Sequence, residues 1–256
     1  MSERRTHVVL GARTRLGGAV LERLLGTGDP VVVVARDARD GDLLRADPRL
    51  APRLAPAATG ERTSGEPSVR VVLAEQFGDT LEPLTGPLRV LVLALGPVHP
   101  TDAGVEPPLE SDMSAVARDL AVVDAALAAA GGGHVVLVST VLALAPQHDR
   151  RYYGGWKNVV EQSLRARTEA RGGVLSVLYP GRLVGPGDRG RLSTSYARLA
   201  DTTLATAPAS TQRVVGTDSR ILLVVRSIQF VLRSLRPVTS HRSPTETTRS
   251  ERRPPR

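Results

Sequence analysis

The sequence predicts one α/β domain on a doubly wound parallel sheet, followed by a disordered basic tail. Three observations carry this. Runs at 7–10, 31–35, 69–74, 90–95, 134–139 and 174–179 are near-continuous Val, Leu and Ile, the pattern of strands buried on both faces. Helical patterns alternate with them, which implies right-handed crossovers within one sheet. The first run passes directly into a glycine-containing turn and then a helical pattern.

Taken in order, the first run is followed by a helical pattern at 16–25 and the second strand at 31–35. Segment 38–68 is rich in Pro, Gly and Arg, so one short helix and a loose loop are expected there. Helical patterns at 113–130 and 156–171 precede and follow the fifth strand. Segment 186–213 is polar and small-residue-rich, with Tyr196 and several arginines, and reads as a specificity loop. At 221–236, Arg226, Gln229, Arg233 and Arg236 form one polar stripe. That is an amphipathic helix packed on the sheet, with a dimer or membrane contact as the alternative; Asp218 or Ser219 is its expected cap. Beyond Pro237 the chain is Pro/Ser/Thr/Arg-rich, which predicts disorder. The folded domain is therefore placed at 1–236 and the tail at 237–256.

Composition excludes several classes. There is no cysteine, and the five histidines show no metal-ligand spacing, so no thiol chemistry and no metal are expected. Net charge is +8, but five arginines against Glu246 and Glu251 leave +3 of it on the tail. No aromatics interleave a basic patch, so nucleic acid is not an expected partner. No apolar run reaches membrane-spanning length, and the charged start runs straight into a strand rather than a signal segment. A cytoplasmic protein without a membrane partner is expected.

The turn after the first strand reads Gly11-Ala12-Arg13-Thr14-Arg15-Leu16-Gly17-Gly18. A tight glycine turn there lets backbone N–H groups approach a pyrophosphate, and the helix N-terminus adds partial positive charge. Gly11, Arg13, Thr14, Arg15, Leu16 and Gly17 are the candidate dinucleotide-binding residues, with Gly11 making the turn and Gly17 allowing close helix–strand packing. The second strand ends Ala35-Arg36-Asp37. An acid at that tip holds the ribose 2′-hydroxyl of NAD, whereas an arginine meets a 2′-phosphate. Arg36, with Arg13 as a second candidate, favours NADP(H) over NAD(H). Glu75, after the third strand, is placed either near the adenine or as an ordinary surface acid.

Lys157 is the sole lysine among 34 basic residues. In a chain that otherwise uses arginine, it marks a position where a compact ammonium is needed. Tyr153 lies one helical turn before it, on the same face, and Thr140 ends the fifth strand 13 residues upstream of Tyr153. A tyrosine has an ordinary pKa near 10, and a nearby ammonium favours its phenolate. At ~4 Å and an effective dielectric of about 20, that attraction is about 4 kcal/mol. The pair suits proton exchange.

Tyr153-Gly154-Gly155-Trp156-Lys157, the upstream hydroxyl and the glycine turn together resemble the short-chain dehydrogenase/reductase family, over about residues 6–235. The resemblance implies a Rossmann-type fold and an NADP(H)-dependent oxidoreductase of ketoreductase or alcohol dehydrogenase type. It acts on a small-molecule carbonyl or alcohol, with specialised metabolism as the suggested setting. Tyr153 would supply the proton, Lys157 would also hold the nicotinamide ribose, and Thr140 or Ser139 would polarise the substrate oxygen. Spacing slightly favours Thr140. Tyr152 is the alternative in a shifted register, without the lysine at i+4. Gly96, at the end of the fourth strand, and the turn Pro180-Gly181 are expected beside the cofactor. Family members are usually homodimers or homotetramers.

Gly185-Pro186 and the run 214–218 look like the extended branch of the family, which includes sugar-nucleotide epimerases and dehydratases, although 188–213 leaves little room for their substrate domain. A non-catalytic NADP(H)-binding regulatory protein is the remaining alternative. Three departures stand out. Arg15 replaces the middle glycine of the turn, and Leu93-Ala94-Leu95-Gly96 replaces the family's Asn-Asn-Ala-Gly. The asparagine of the family's proton relay has no clear counterpart, Asp119 being the nearest polar residue.

Overall fold

The computed structural model describes residues 4–54, 69–79, 86–95, 110–144, 151–185 and 193–234. The expected tail at 237–256 and most of the expected loop before the third strand lie outside the described residues.

The elements follow in the order β1 (Thr6–Leu10), α1 (Arg15–Leu24), β2 (Val31–Ala35), α2 (Ala38–Arg45), β3 (Val69–Leu73), β4 (Leu88–Val92), α3 (Glu110–Ala130), β5 (His134–Val138), α4 (Val141–Leu144), α5 (Arg151–Ala170), β6 (Val174–Pro180), β7 (Leu183–Val184), β8 (Thr194–Ser195), α6 (Tyr196–Ala205), β9 (Thr211–Val215) and α7 (Thr217–Ser234). Seven strands form one sheet in the order β3-β2-β1-β4-β5-β6-β9, every neighbouring pair parallel. The switch between β1 and β4 opens the crevice in which such sheets bind ligands, at the carboxyl ends of the strands.

Side-chain alternation divides each strand between two cores. Val8, Leu10, Val90, Val92, Val135 and Leu137 meet Leu120, Val123, Val160 and Leu164 of α3 and α5. Val9, Val33, Leu91 and Val136 meet Val20, Leu21 and Leu24 of α1 and Leu199 of α6 on the other face. Small side chains let those helices sit close, which explains how a chain with few aromatics still fills two layers.

At the amino end of the sheet one row carries polar groups: His7 pairs with Arg89 across β1 and β4, and Arg89 with His134 across β4 and β5. Arg89 is 2 % exposed and donates to the carbonyls of Thr203 at 2.8 Å, Leu204 at 2.6 Å and Thr206 at 2.6 Å. These are the C-terminal carbonyls of α6, which a helix leaves unsatisfied and which favour a cation.

The structure adds elements that periodicity did not show. The expected six-strand sheet has a seventh, β9, whose outer residues Thr211, Gln212 and Arg213 are exposed, so it lacks the continuous apolar run of the others. Helix α6 lies inside the segment read as a specificity loop; its apolar stripe is Leu199 and Ala200, flanked by Thr203. Helix α7 starts at Thr217, so Asp218 and Ser219 sit inside its first turn rather than capping it. It leaves Ile221, Val224, Val225 and Ile228 exposed.

Candidate active site

The glycine turn is built by its own backbone. Gly11 has φ +82°, and a Cβ there would stand 2.9 Å from the Ala94 nitrogen; both facts require glycine. A Cβ at Gly17 would meet the carbonyl oxygens of Gly11 and Ala12 at 2.3 and 2.4 Å. Thr14 is the N-cap of α1: its hydroxyl donates to Gly11 O at 2.8 Å and accepts from Gly17 N at 2.9 Å. With Gly17 satisfied, the first-turn N–H groups of Arg15 and Leu16, which lack intrahelical partners, are the donors left for an anion. The Arg15 side chain is exposed, and its guanidinium lies 3.6 Å from where a Cβ would sit at Gly185. It therefore reaches from the start of α1 to the loop after β7.

The other sequence-predicted residues at this end have partners of their own. Arg13 is ion-paired with Asp40 of α2. Asp37 caps α2 by accepting from Asp40 N at 2.8 Å. Glu75 is exposed in a short 3₁₀ turn after β3. Arg36 does not extend from its strand tip into solvent. It crosses the crest of the sheet to donate to Ala94 O at 2.9 Å and to the Asp119 carboxylate at 3.0 Å. Gly96 lies outside the described residues.

At the chemical end, Tyr153 and Lys157 stand on α5 with the Lys157 Nζ 5.5 Å from the centre of the Tyr153 ring. Lys157 donates to the Leu95 carbonyl at the end of β4. Burial, reinforced by the nearby Arg36 charge, lowers its pKa to about 8. Trp156, between the two, packs against the α3/α5 core, and its Nε1 is buried without a hydrogen-bond partner among the described residues.

The two hydroxyl candidates differ. Thr140 Oγ1 accepts from Leu142 N at 3.3 Å, at the start of α4. Ser139 N donates to Leu178 O at 2.9 Å, so the ladder runs one residue past β5 and Ser139 follows the alternation of Val135 and Leu137, towards the α5 side. Its Oγ is buried with no partner among the described residues.

The Pro180-Gly181 turn is held from α7. Arg182 N donates to the Asp218 carboxylate at 2.6 Å, and a Cβ at Gly181 would stand 2.2 Å from that same carboxylate. The Ser219 hydroxyl donates to Val215 O at 3.0 Å. Gly181 is thus demanded by the approach of α7, independently of any ligand.

Sequence reading placed Asp119 only as a loose relay candidate and did not anticipate its bond to Arg36. The signal was present: Val116, Leu120 and Val123 are buried on α3, and residue 119 falls on that same face. A carboxylate on an apolar stripe needs a partner, and its partner is Arg36.

No protein-family model and no curated protein matches the chain. Solved structures do. An oxidoreductase of the short-chain dehydrogenase/reductase family from Burkholderia thailandensis superposes with a TM-score of 0.59 at 17% identity, covering 90% of this chain and 98% of that one. The fold is that of the short-chain dehydrogenase/reductases. Gluconate 5-dehydrogenase from Burkholderia cenocepacia, solved with NADP and tartrate, shares this short-chain dehydrogenase fold with a TM-score of 0.57 at 15% identity, over 86% of this chain and 96% of that one. UDP-N-acetylglucosamine 4-epimerase from Bacillus cereus gives 0.55 at 14% identity, over 83% and 78%. Among the described residues no helix is long and apolar enough to cross a membrane.

Proposed function

We propose that this protein is a nicotinamide-dinucleotide-dependent oxidoreductase acting on a carbonyl/alcohol pair, with NADP(H) as the favoured cofactor. The observation that carries the reading is the placement of the sole lysine beside Tyr153 on α5, at the carboxyl ends of β4 and β5, in a short-chain dehydrogenase fold. The glycine turn fits a dinucleotide phosphate: Gly11 and Gly17 admit close backbone approach, and Arg15 and Leu16 offer N–H donors at a helix start. When bound, the cofactor supplies or accepts the hydride.

The chain's own residues handle the proton. Tyr153 donates it to the developing alkoxide in reduction and withdraws it in oxidation. The Lys157 ammonium lowers the cost of the phenolate. Lys157 holds its proton below about pH 8, so the Tyr153 phenolate loses its counter-charge as pH rises through that value. Ser139 and Thr140 are the candidates to polarise the substrate oxygen. Ser139 is favoured here because its buried hydroxyl is uncommitted, while Thr140 is engaged at the start of α4.

The NADP(H) preference rests on Arg36 and Arg13, and both face carboxylates in this structure. Their role requires the 2′-phosphate to compete with Asp119 or Asp40. Arg15, reaching across to Gly185, adds a further cation at the phosphate end.

Tyr153→Phe tests the reading. Turnover of reducible carbonyls should fall roughly 100- to 10,000-fold, the usual worth of general acid–base catalysis, while NADPH binding survives. Unchanged turnover removes Tyr153 from the chemistry. A second reading, an epimerase or dehydratase on a sugar nucleotide, is supported by the likeness to the B. cereus epimerase. Cofactor retained through purification, with no net oxidation or reduction of added substrate, would favour it.

A further inference from the structure

The buried carboxylate of Asp119 takes no part in the proton chemistry above, yet it is 3 % exposed and paired with Arg36, although burial, partly offset by Arg36, raises its pKa. Burying a charge pair seldom adds stability over an apolar packing of similar size. The geometry suggests a different use. Arg36 leaves the tip of β2, passes over the end of β1 and reaches Ala94 O and Asp119. Lys157 donates to Leu95 O, the next carbonyl along the chain. Two cations from opposite sides of the crevice, one from β2 and one from α5, are therefore anchored to consecutive residues at the end of β4. Nothing on β2 itself holds Arg36 there; Asp119, presented by α3, does.

We propose that Asp119 is a positioning residue: it holds Arg36 across the crest of the sheet beside Lys157, and so acts on Lys157 through Arg36. Among the described residues, the charged and titratable groups around Lys157 are Tyr153 on its own helix, Arg36 from β2 and, through Arg36, Asp119 from α3, with Arg118 beside Asp119. Arg36 disfavours a second positive charge nearby, which is one cause of the lowered Lys157 value. The arrangement links the two ends of the site. A phosphate that draws Arg36 away from Asp119 also removes a cation from the neighbourhood of Lys157 and strengthens its hold on its proton. The catalytic meaning rests on the oxidoreductase reading, but the test needs no turnover, so either can fail alone.

The chain offers a clean probe, because its single lysine gives one side-chain signal after ¹³C-lysine labelling. The Lys157 ε-carbon is titrated in the wild type, Arg36→Gln, Asp119→Asn and the double variant. In the wild type the midpoint is expected near pH 8. Arg36→Gln should move it up towards the ordinary lysine range, since a like charge is removed. If Asp119 holds Arg36 in place, Asp119→Asn moves it in the same direction, and the double variant adds nothing further, the signature of coupled residues. If Asp119 is only a packing residue, losing its negative charge leaves the midpoint in place or lowers it, which overturns the proposal. Arg36→Gln is half-exposed and decides the matter alone should Asp119→Asn fail to fold: an unmoved midpoint there also overturns it.

Discussion

The two ends of the sheet both bury cations, and they do so differently. At the amino end Arg89 is enclosed and its guanidinium is spent on three α6 carbonyls. His7 and His134 flank it; burial is the largest cause lowering both pKa values and the Arg89 charge adds to it, while the Asp29 carboxylate opposes it at His7. His134 Nε2 bonds the Ser176 hydroxyl at 2.9 Å, which in turn donates to Ala209 O at 2.6 Å. At the carboxyl end Arg36 and Lys157 are partly exposed; Arg36 is held by Ala94 O and the Asp119 carboxylate and Lys157 by Leu95 O, just past β4, while Ser139 Oγ and Trp156 Nε1 lack partners among the described residues. Arg89 Nε and His7 Nδ1 are also buried without a partner among the described residues, so the two ends differ in how their cations are held: a guanidinium closed on three helix carbonyls is a joint, and displaceable cations at the carboxyl ends of strands mark where a ligand belongs. The same sheet supplies both because parallel strands end all their carboxyl termini on one side.

Three substitutions or titrations would break or sharpen this contrast. The largest effect is expected at the crest. Ser139→Ala should lower turnover roughly 100- to 1,000-fold, equivalent to about 2.7–4 kcal/mol, without loss of stability, because the hydroxyl it deletes has no partner among the described residues. Thr140→Val serves as the comparison in steady-state kinetics; a larger loss there would return the role to Thr140. At the base the cost should appear in folding instead. Arg89→Met leaves three α6 carbonyls, that of Thr203 fully buried, without their donor, and should cost roughly 3 kcal/mol in denaturant unfolding while leaving cofactor affinity unchanged. A stability near wild type would show that α6 does not depend on this bond set.

The third concerns pH. Burial lowers His134 to about 4 in the folded chain, below its ordinary value of about 6.5 in the unfolded one. The unfolded state binds the extra proton between these values. Stability from neutral His134 is therefore complete above about pH 6.5 and lost as pH falls towards 4, by on the order of 2–3 kcal/mol. His134→Gln should flatten the acid limb of the stability–pH curve; an unchanged limb would assign it to other groups.

How much of this could be read from residues alone depends on which end is considered. The Val-rich strands, the glycine turn and the Tyr153/Lys157 pair were legible because each has a local pattern: continuous apolar runs, a turn between strand and helix, an i+4 spacing. Arg36 was legible as a cation at a strand tip, but its direction was not, since Asp119 is 83 residues away and only the β1/β4 switch brings them together. Arg89 sat unnoticed one residue before the run read as the fourth strand; its partners lie on α6, which the polar composition of 186–213 concealed. Pro180-Gly181 was read as a turn beside the cofactor; the close approach of Asp218 that demands glycine at 181 is a tertiary fact.

The central claim is that the crest binds a nicotinamide dinucleotide. The most direct test titrates the protein with NADPH and with NADH, following the fluorescence of Trp156, the sole tryptophan, with calorimetry in parallel. The account predicts saturable binding of NADPH, tighter than NADH and weakened by Arg36→Gln. Equal binding of the two would remove the 2′-phosphate argument and keep the oxidoreductase. Binding of neither by calorimetry would contradict the account, because the glycine turn would then hold α1 in place without receiving a phosphate.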